Sequence, residues 1–462
     1  MMCPTLANVV ADSPNHGRPQ RGTLSLERRR SARARVRILV LNSEIPFPPI
    51  TGAQSRTYYL VWGLAAEHEV TLVGFSWDSH DPPFVRSLPL EIISVPWRPS
   101  DSYRKMHDAS SSVSLAAYRH LAYESAEPWF VSYYSSAAME SSLAALRSRS
   151  FDLILIEHSF MARFLPFLRA DVPKVLDLHN VHTLMAWRRA QEKSDSQEHD
   201  FIKEFERTRS FERAVCRACQ LCLCCSDQDA QAARRFLETE HVSVIPNGVD
   251  TSLMTPGTTP VEPGYLLFTG MLNYEPNREA ARYFVREILP LIHAECPGAT
   301  FHIAGANPSP EVAALADGSV FVHASVPDMR PYFHRASVVV VPLLHGGGTR
   351  LKILDAAACG KPVVSTSVGA EGLNFVEGRD LLLANSAPEF AETVIKLLRE
   401  PERQTQLSRY ARRAAEVYDW CNIASEFCRV MIGVAEGRPR VSDSLHSQET
   451  RANAHREDRY GR

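Results

Sequence analysis

The sequence predicts an α/β protein built from two doubly wound, Rossmann-like domains that face each other across a cleft. Three observations carry that prediction. Short apolar strands alternate with helical patterns in both halves of the chain, the βαβ signature of a parallel sheet. At 462 residues with 45% hydrophobic content, the chain is long enough for two such domains with proper cores. Between the halves runs Thr251 to Gly264, whose Pro256, Pro260 and Pro263 mark an interdomain linker. Ligands of open parallel sheets bind outside the C-terminal ends of the strands, so the cleft is the expected site.

In the first half, Val36 to Leu41, Val70 to Phe75 and Leu153 to Glu157 read as short buried strands, with a helical pattern such as Ser55 to Ala66 between them. Val175 to His179 and the run LCLCCS continue the series, and Ser226 opens the helix that follows. In the second half, Tyr265 to Thr269, Ala299 to Ala304, Val338 to Pro342 and Pro362 to Ser365 read as strands. Ser386 and Pro388 give the N-cap and first-turn signals of a helix running to about Leu398. A last helix is expected around Asp419 to Val434. The expected organisation is a basic tail at 1–34, a first domain at 35–250, a linker at 251–263, a second domain at 264–418, a crossover helix at 419–436 and a polar tail at 437–462.

A net charge of -2 argues against a broadly basic nucleic-acid binder. No apolar run reaches the roughly 18 residues of a membrane span, and the N-terminus lacks an apolar signal-peptide segment, so the expected compartment is the cytoplasm. Residues 1–37 hold eight Arg against Asp12 and Glu27, which reads as a solvated tail or an anionic-membrane tether. Cys216, Cys219, Cys222, Cys224 and Cys225 crowd together, but no second Cys or His pair stands at a useful spacing. They read as small buried residues of a helix and strand, and no metal site is expected.

The most informative segment is Val338 to Leu373, VVVVPLLHGGGTRLKILDAAACGKPVVSTSVGAEGL. An apolar strand, a three-glycine loop, a helix and a second strand follow one another. Such a unit aims free backbone N–H groups and the positive end of a helix at one point, a place for a phosphate or diphosphate. Gly346, Gly347 and Gly348 let the backbone approach an anion, and Arg350 with Lys352 adds positive charge. Asp355, on the first turns of the helix, can accept both hydroxyls of a ribose or simply favour the helix N-terminus as an acid.

That string, with P-N-G-V-D at 246–250, resembles the donor domain of the family 4 glycosyltransferases, which have the GT-B fold. The likeness extends over about 36–425: VRILVLNSEIPFPPITGAQSRTYYLVWGLAAEHEVTLVGF, CLCCSDQDAQAARRF, VSVIPNGVDTSLMTP, LLFTGMLNYEPNREAARYFVREILPLI and FHIAGANPSPEV match family elements in order. The run G-G-G-T-R-L-K-I-L with Y-x-P-N resembles a branch associated with exopolysaccharide gene sets. The resemblance implies a hexosyltransferase that moves a sugar from a nucleotide-diphosphate donor to an acceptor hydroxyl with retention, without a metal or other cofactor. It also implies that the final helix crosses back onto the first domain.

Carried over by position, the resemblance implies donor contacts from Gly52, Gly270, Val326 at the base, the glycine loop with Thr349, and Asp355 at the ribose. His158, in Glu157-His158-Ser159 after a strand, reaches toward the transferred sugar; His179 is a second candidate. The chain departs from the family in two places. The first acid of the E-x7-E motif falls on Gly347, and the basic pair expected after the first donor-domain strand is absent from GMLNYEPNRE, where Met271 and Asn277 stand. Arg350 and Lys352 are expected to replace that charge from across the site, with help from Arg278.

The implied acceptor is a carbohydrate or a lipid-linked sugar. Trp129, Phe130, Tyr133 and Tyr134 fit either a core helix face or peripheral docking at the inner membrane face. Gly347 in place of an acid leaves open a non-catalytic nucleotide-sugar binder, and the architecture is shared with sugar-nucleotide epimerases.

Overall fold

The computed structural model describes residues 35–76, 90–98, 127–191, 198–324 and 326–438. Nearly every strand is apolar along its whole length because both faces of each sheet are covered. The first sheet has seven strands: β1 (Arg37–Asn42), β2 (Glu69–Ser76), β3 (Glu91–Pro96), β4 (Leu153–Glu157), β5 (Lys174–Asp177), β6 (Leu221–Cys224) and β7 (Val242–Val244). Their order is β3-β2-β1-β4-β5-β6-β7, all pairs parallel. The second sheet contains β8 (Tyr265–Thr269), β9 (Thr300–Gly305), β10 (Val320–Ala324), β11 (Val338–Val341), β12 (Val363–Ser365) and β13 (Leu382–Leu383) in the order β10-β9-β8-β11-β12-β13, again parallel.

In each sheet the strand order reverses once, between β1 and β4 and between β8 and β11. At such a switch point neighbouring loops leave in opposite directions and open a crevice. The segments entering the two crevices are those singled out by sequence: 43–51 after β1, His158 after β4, Gly270 after β8 and the glycine loop after β11.

Each strand read from the sequence is found within two residues of its expected ends, with β5 and β6 stopping two residues short. The Gly52–Glu67 helix starts three residues earlier than its apolar pattern, at a capping box made by Thr51 and Gln54. Ser386 caps the Ala387–Arg399 helix and Ser226 caps Asp227–Ala232, both as expected. Four strands have no counterpart in the sequence reading: β3, β7, β10 and β13 are the edge strands of the two sheets and lack a long apolar run.

Near the junction the chain passes between domains twice. Val249 N–H donates to the Tyr418 carbonyl (2.9 Å) and Trp420 N–H to the Val249 carbonyl (3.2 Å). From there the Trp420–Ala435 helix, capped by Asp419, packs on the Gly52–Glu67 helix, with Trp420 stacked on Tyr59 at 5.1 Å. The crossover implied by the resemblance is present. Leu354, Ala357 and Ala358 of the Leu351–Ala358 helix join the same apolar cluster as Tyr58, Val61 and Phe427, so the donor helix is anchored in both halves.

The five clustered cysteines are all buried and free, packed as small residues around β6. Phe130, Tyr133 and Tyr134 turn inward: Tyr134 stacks on Phe160 at 4.4 Å, Phe130 on His182 at 4.6 Å, and Tyr133 lies 5.1 Å from Trp97. This is the core-face alternative for that stripe; the side chain of Trp129 and the tails at 1–34 and 439–462 lie outside the described residues. Among the described residues no helix is long and apolar enough to cross a membrane.

Candidate active site

On the donor side, Lys352 projects from the first turn of the Leu351–Ala358 helix to the end of β8. Its Nζ donates to Asn277 Oδ1 (2.8 Å) and lies 4.1 Å from the centre of the Phe268 ring. Burial, reinforced by the charge of Arg350, pushes this ammonium well below the ordinary lysine range. Gly270, with φ 154°, leaves the space: a Cβ there would lie 2.7 Å from Asn277 Nδ2 and 3.1 Å from Lys352 Nζ. Lys352 therefore occupies the region where the family's basic pair is missing.

Arg350 does not share this role. Its guanidinium folds back under the loop and donates to the Gly347 and Gly348 carbonyls, and it is almost wholly buried. Burial lowers its pKa. The expected two-cation clamp thus separates into one cation facing the crevice and one bracing the loop. Arg278 is drawn off toward Glu311, at 3.5 Å.

Asp355 is part-buried, and its carboxylate makes no hydrogen bond among the described residues. Burial alone pushes its pKa up to about 7. The first turn of the Leu351–Ala358 helix carries no acid. Val326 packs on the edge of the donor-domain core, and its neighbour Ser325 lies outside the described residues. The Thr349 hydroxyl is buried without a partner.

The glycine loop is also touched from the other domain, by residues that no sequence pattern singled out. Gly348 has φ 71°, and a Cβ there would meet Asn180 Oδ1 at 2.6 Å; one on Gly347 would meet Met185 Cγ at 3.2 Å. These glycines make room for the segment after β5 as well as for an anion. Arg188, on the His182–Gln191 helix, donates to the Gly346 carbonyl (3.3 Å) and forms a two-point ion pair with Glu371 (2.9 and 2.5 Å). Gly52 lies across the same gap, where a Cβ would sit 3.1 Å from Leu351.

On the acceptor side, His158 and His179 follow adjacent strands, both with positive φ (71° and 48°). Positive φ in a residue other than glycine is strained, and such strain gathers at functional sites. The His158 ring stacks on Phe160 (4.9 Å) and lies tilted against His179 (3.9 Å). Burial, with His179 and His182 beside it, holds its pKa well below the ordinary histidine range. Behind the pair, His179 Nε2 lies 2.5 Å from Glu157 Oε2, and Arg56 grips Asp177 at 2.8 and 3.1 Å. Arg56 also donates to the carbonyls of Ile245 (2.8 Å) and Pro246 (3.2 Å), tying the Gly52 helix to the turn before the linker.

Comparison with known proteins places this geometry. Residues 50–253 match the model described as Glycosyltransferase Family 4, and residues 263–400 the model described as Glycosyl transferases group 1. The D-inositol 3-phosphate glycosyltransferase of Gordonia bronchialis is 28% identical over 140 residues, which is 29% of this chain and 31% of that protein. The match thus spans about a third of that relative's length. Among solved structures, sucrose-phosphate synthase from Thermosynechococcus elongatus is similar in fold, with a TM-score of 0.64 at 17% identity over 87% of this chain and 100% of that one. HepE of Anabaena, solved with UDP and glucose, has a TM-score of 0.61 at 14% identity over 85% of this chain and 98% of that one. One model matches each half, a Family 4 domain followed by a group 1 domain, and the two parallel sheets facing across a cleft have the GT-B fold.

Proposed function

We propose that this protein transfers a hexosyl group from a nucleotide-diphosphate sugar to an acceptor hydroxyl, with retention and without a metal, in exopolysaccharide or glycoconjugate synthesis in the cytoplasm. The observation that carries the reading is Lys352: a desolvated ammonium at the donor sheet's switch point, one helical turn from the unpartnered carboxylate of Asp355. The diphosphate lies at the start of the Leu351–Ala358 helix, where N–H groups and Lys352 Nζ meet the negative charge that builds as the glycosidic bond breaks. Those donors are fixed before the reaction and need no reorganisation during it. The acceptor hydroxyl attacks the anomeric carbon from the face the diphosphate leaves, and a departing phosphate oxygen takes its proton. His158 faces the transferred sugar, and Asp355 holds the ribose. The acceptor is a carbohydrate or a lipid-linked sugar, with peripheral membrane contact in the second case.

Gly347, in place of the first acid of the donor motif, favours one rival, a protein that binds nucleotide sugars without turning them over. A panel of UDP-, GDP- and ADP-linked sugars separates the two. Nucleotide release that depends on Lys352 supports the transferase, with the anomeric configuration of the product read by NMR. Tight binding with no release in the presence of mixed oligosaccharide and lipid-linked acceptors supports the binder.

A further inference from the structure

Strands β4 and β5 end on two acids, Glu157 and Asp177, both fully buried. They are answered very differently. Arg56 contacts both oxygens of Asp177; burial alone would raise this acid's pKa, but the guanidinium overrides it and holds it below the ordinary carboxylate range. Glu157 has one close partner, His179 Nε2 at 2.5 Å from Oε2, while Thr57 Oγ1 stands at 3.5 Å and Oε1 is buried with no hydrogen-bond partner. Burial accordingly pushes Glu157 up. Glu157, Asp177 and His179 also lie close enough to hold a cation together. With Asp177 already taken by Arg56, however, the cluster is an ion-pair network rather than a cage for an ion.

A half-satisfied buried acid is costly, and structures that keep one usually use it. Its partner points to the use. The His179 ring lies tilted against His158 at 3.9 Å, Phe160 stacks on His158 at 4.9 Å, and the His158 ring makes no hydrogen bond among the described residues. Ring contacts orient His158, and one of these two ring neighbours is pinned by Glu157. We propose that Glu157 and His179 form a positioning dyad for His158. Glu157 fixes the His179 ring, and burial keeps His158 neutral, with its nitrogens open to a sugar hydroxyl. The proposal rests on the reading of His158 as the sugar-side residue.

The test is a double-mutant cycle in the full chain, run with whichever member of the nucleotide-sugar panel is turned over fastest. E157Q keeps the shape of the side chain, so folding should survive, and melting curves check it. H179Q removes the stack and leaves Glu157 in place, should E157Q fail to fold. The expected result is a fall in kcat of about tenfold or more in either variant, with donor KM and UDP affinity within about twofold, and no further loss when either is combined with H158A. A purely structural role would instead lower stability and raise KM as kcat falls. In labelled protein, NMR should show a far-downfield ring N–H of His179 that survives H158A and disappears in E157Q. Turnover within about twofold of wild type in well-folded E157Q, or a loss that persists at full size in the H158A background, overturns the dyad. Unchanged turnover in H158A itself overturns the sugar-side reading, and the dyad with it.

Discussion

The two sheets meet at one cleft but present their chemistry in opposite ways. At the ends of β8 and β11 the chain uses glycines with positive φ at 270, 346 and 348 and offers mainly backbone, with one lysine added. At the ends of β4 and β5 it forces histidines into the same region of φ and offers side chains. Glycine adopts positive φ at little steric cost, whereas a histidine there needs the surrounding structure to hold it. The donor edge is therefore supported by its own backbone and by Arg350, with Arg188 of the facing domain on the Gly346 carbonyl. The acceptor edge depends on a buried frame of Arg56, Asp177 and Glu157. Recognising a diphosphate needs converging N–H groups; setting one imidazole against a sugar needs a fixed ring. Each edge has the support its task demands.

The largest expected effect comes from breaking the frame. Arg56→Ala leaves Asp177 charged, fully buried and unpaired, and removes donors to the Ile245 and Pro246 carbonyls. Losing one partner of a buried ion pair typically costs about 3 to 5 kcal/mol. Denaturant unfolding should show a loss of that size, with urea sensitivity concentrated in the first domain if the frame is local to it. A loss below about 1 kcal/mol would mean that the two sheet edges are supported alike.

A sharper contrast is available within one helix turn. Lys352→Ala should weaken binding of a nucleoside diphosphate by about 2 to 3 kcal/mol and leave the nucleoside nearly unaffected, because a charge-assisted contact to phosphate is lost. Arg350→Ala should instead lower the melting temperature and weaken both ligands together, since its guanidinium braces the Gly347 and Gly348 carbonyls. Calorimetry with UDP and uridine distinguishes the two outcomes. Equal diphosphate selectivity lost in both variants would restore the two-cation clamp.

How much of this was legible without coordinates follows from the same contrast. The donor unit is contiguous in sequence, so its strand, glycine loop and helix could be read together, including the gap at Gly347 and the absent basic pair. The orientations of Arg350 and Lys352 could not, because two basic residues two apart at a helix start look alike until packing turns one inward. The acceptor frame is assembled from Arg56, Glu157, Asp177 and His179, which lie up to 123 positions apart. No local pattern links them; an acid ending each of two neighbouring parallel strands was the one available signal. Asn180, Met185, Arg188 and Glu371 matter only because the domains face each other, a relation that strand and helix periodicity does not encode.

The finest test of the donor edge is its pH dependence. Burial pushes the Asp355 carboxyl up to about 7 in the folded state, well above the ordinary aspartate range. A raised acid pKa means that the folded protein binds this proton more tightly than the unfolded chain, so stability falls as pH climbs from about 4 to 7 and levels off above that. Asp355→Asn removes the penalty and should stabilise the protein at pH 8 by about 1 to 2 kcal/mol, allowing for partial exposure, with little change at pH 4. Ligand binding should run the other way. Ribose hydroxyls donate best to the ionised carboxylate, so the wild-type advantage over Asp355→Asn in UDP affinity should grow as pH rises from 6 to 8 and vanish for a 2′,3′-dideoxy analogue. Comparing the two proteins at each pH cancels the titration of the diphosphate itself. A carboxylate that merely favoured the helix N-terminus would stabilise the fold on ionising, so a variant less stable than wild type at pH 8, with the same affinity for both nucleotides, would return Asp355 to that structural role.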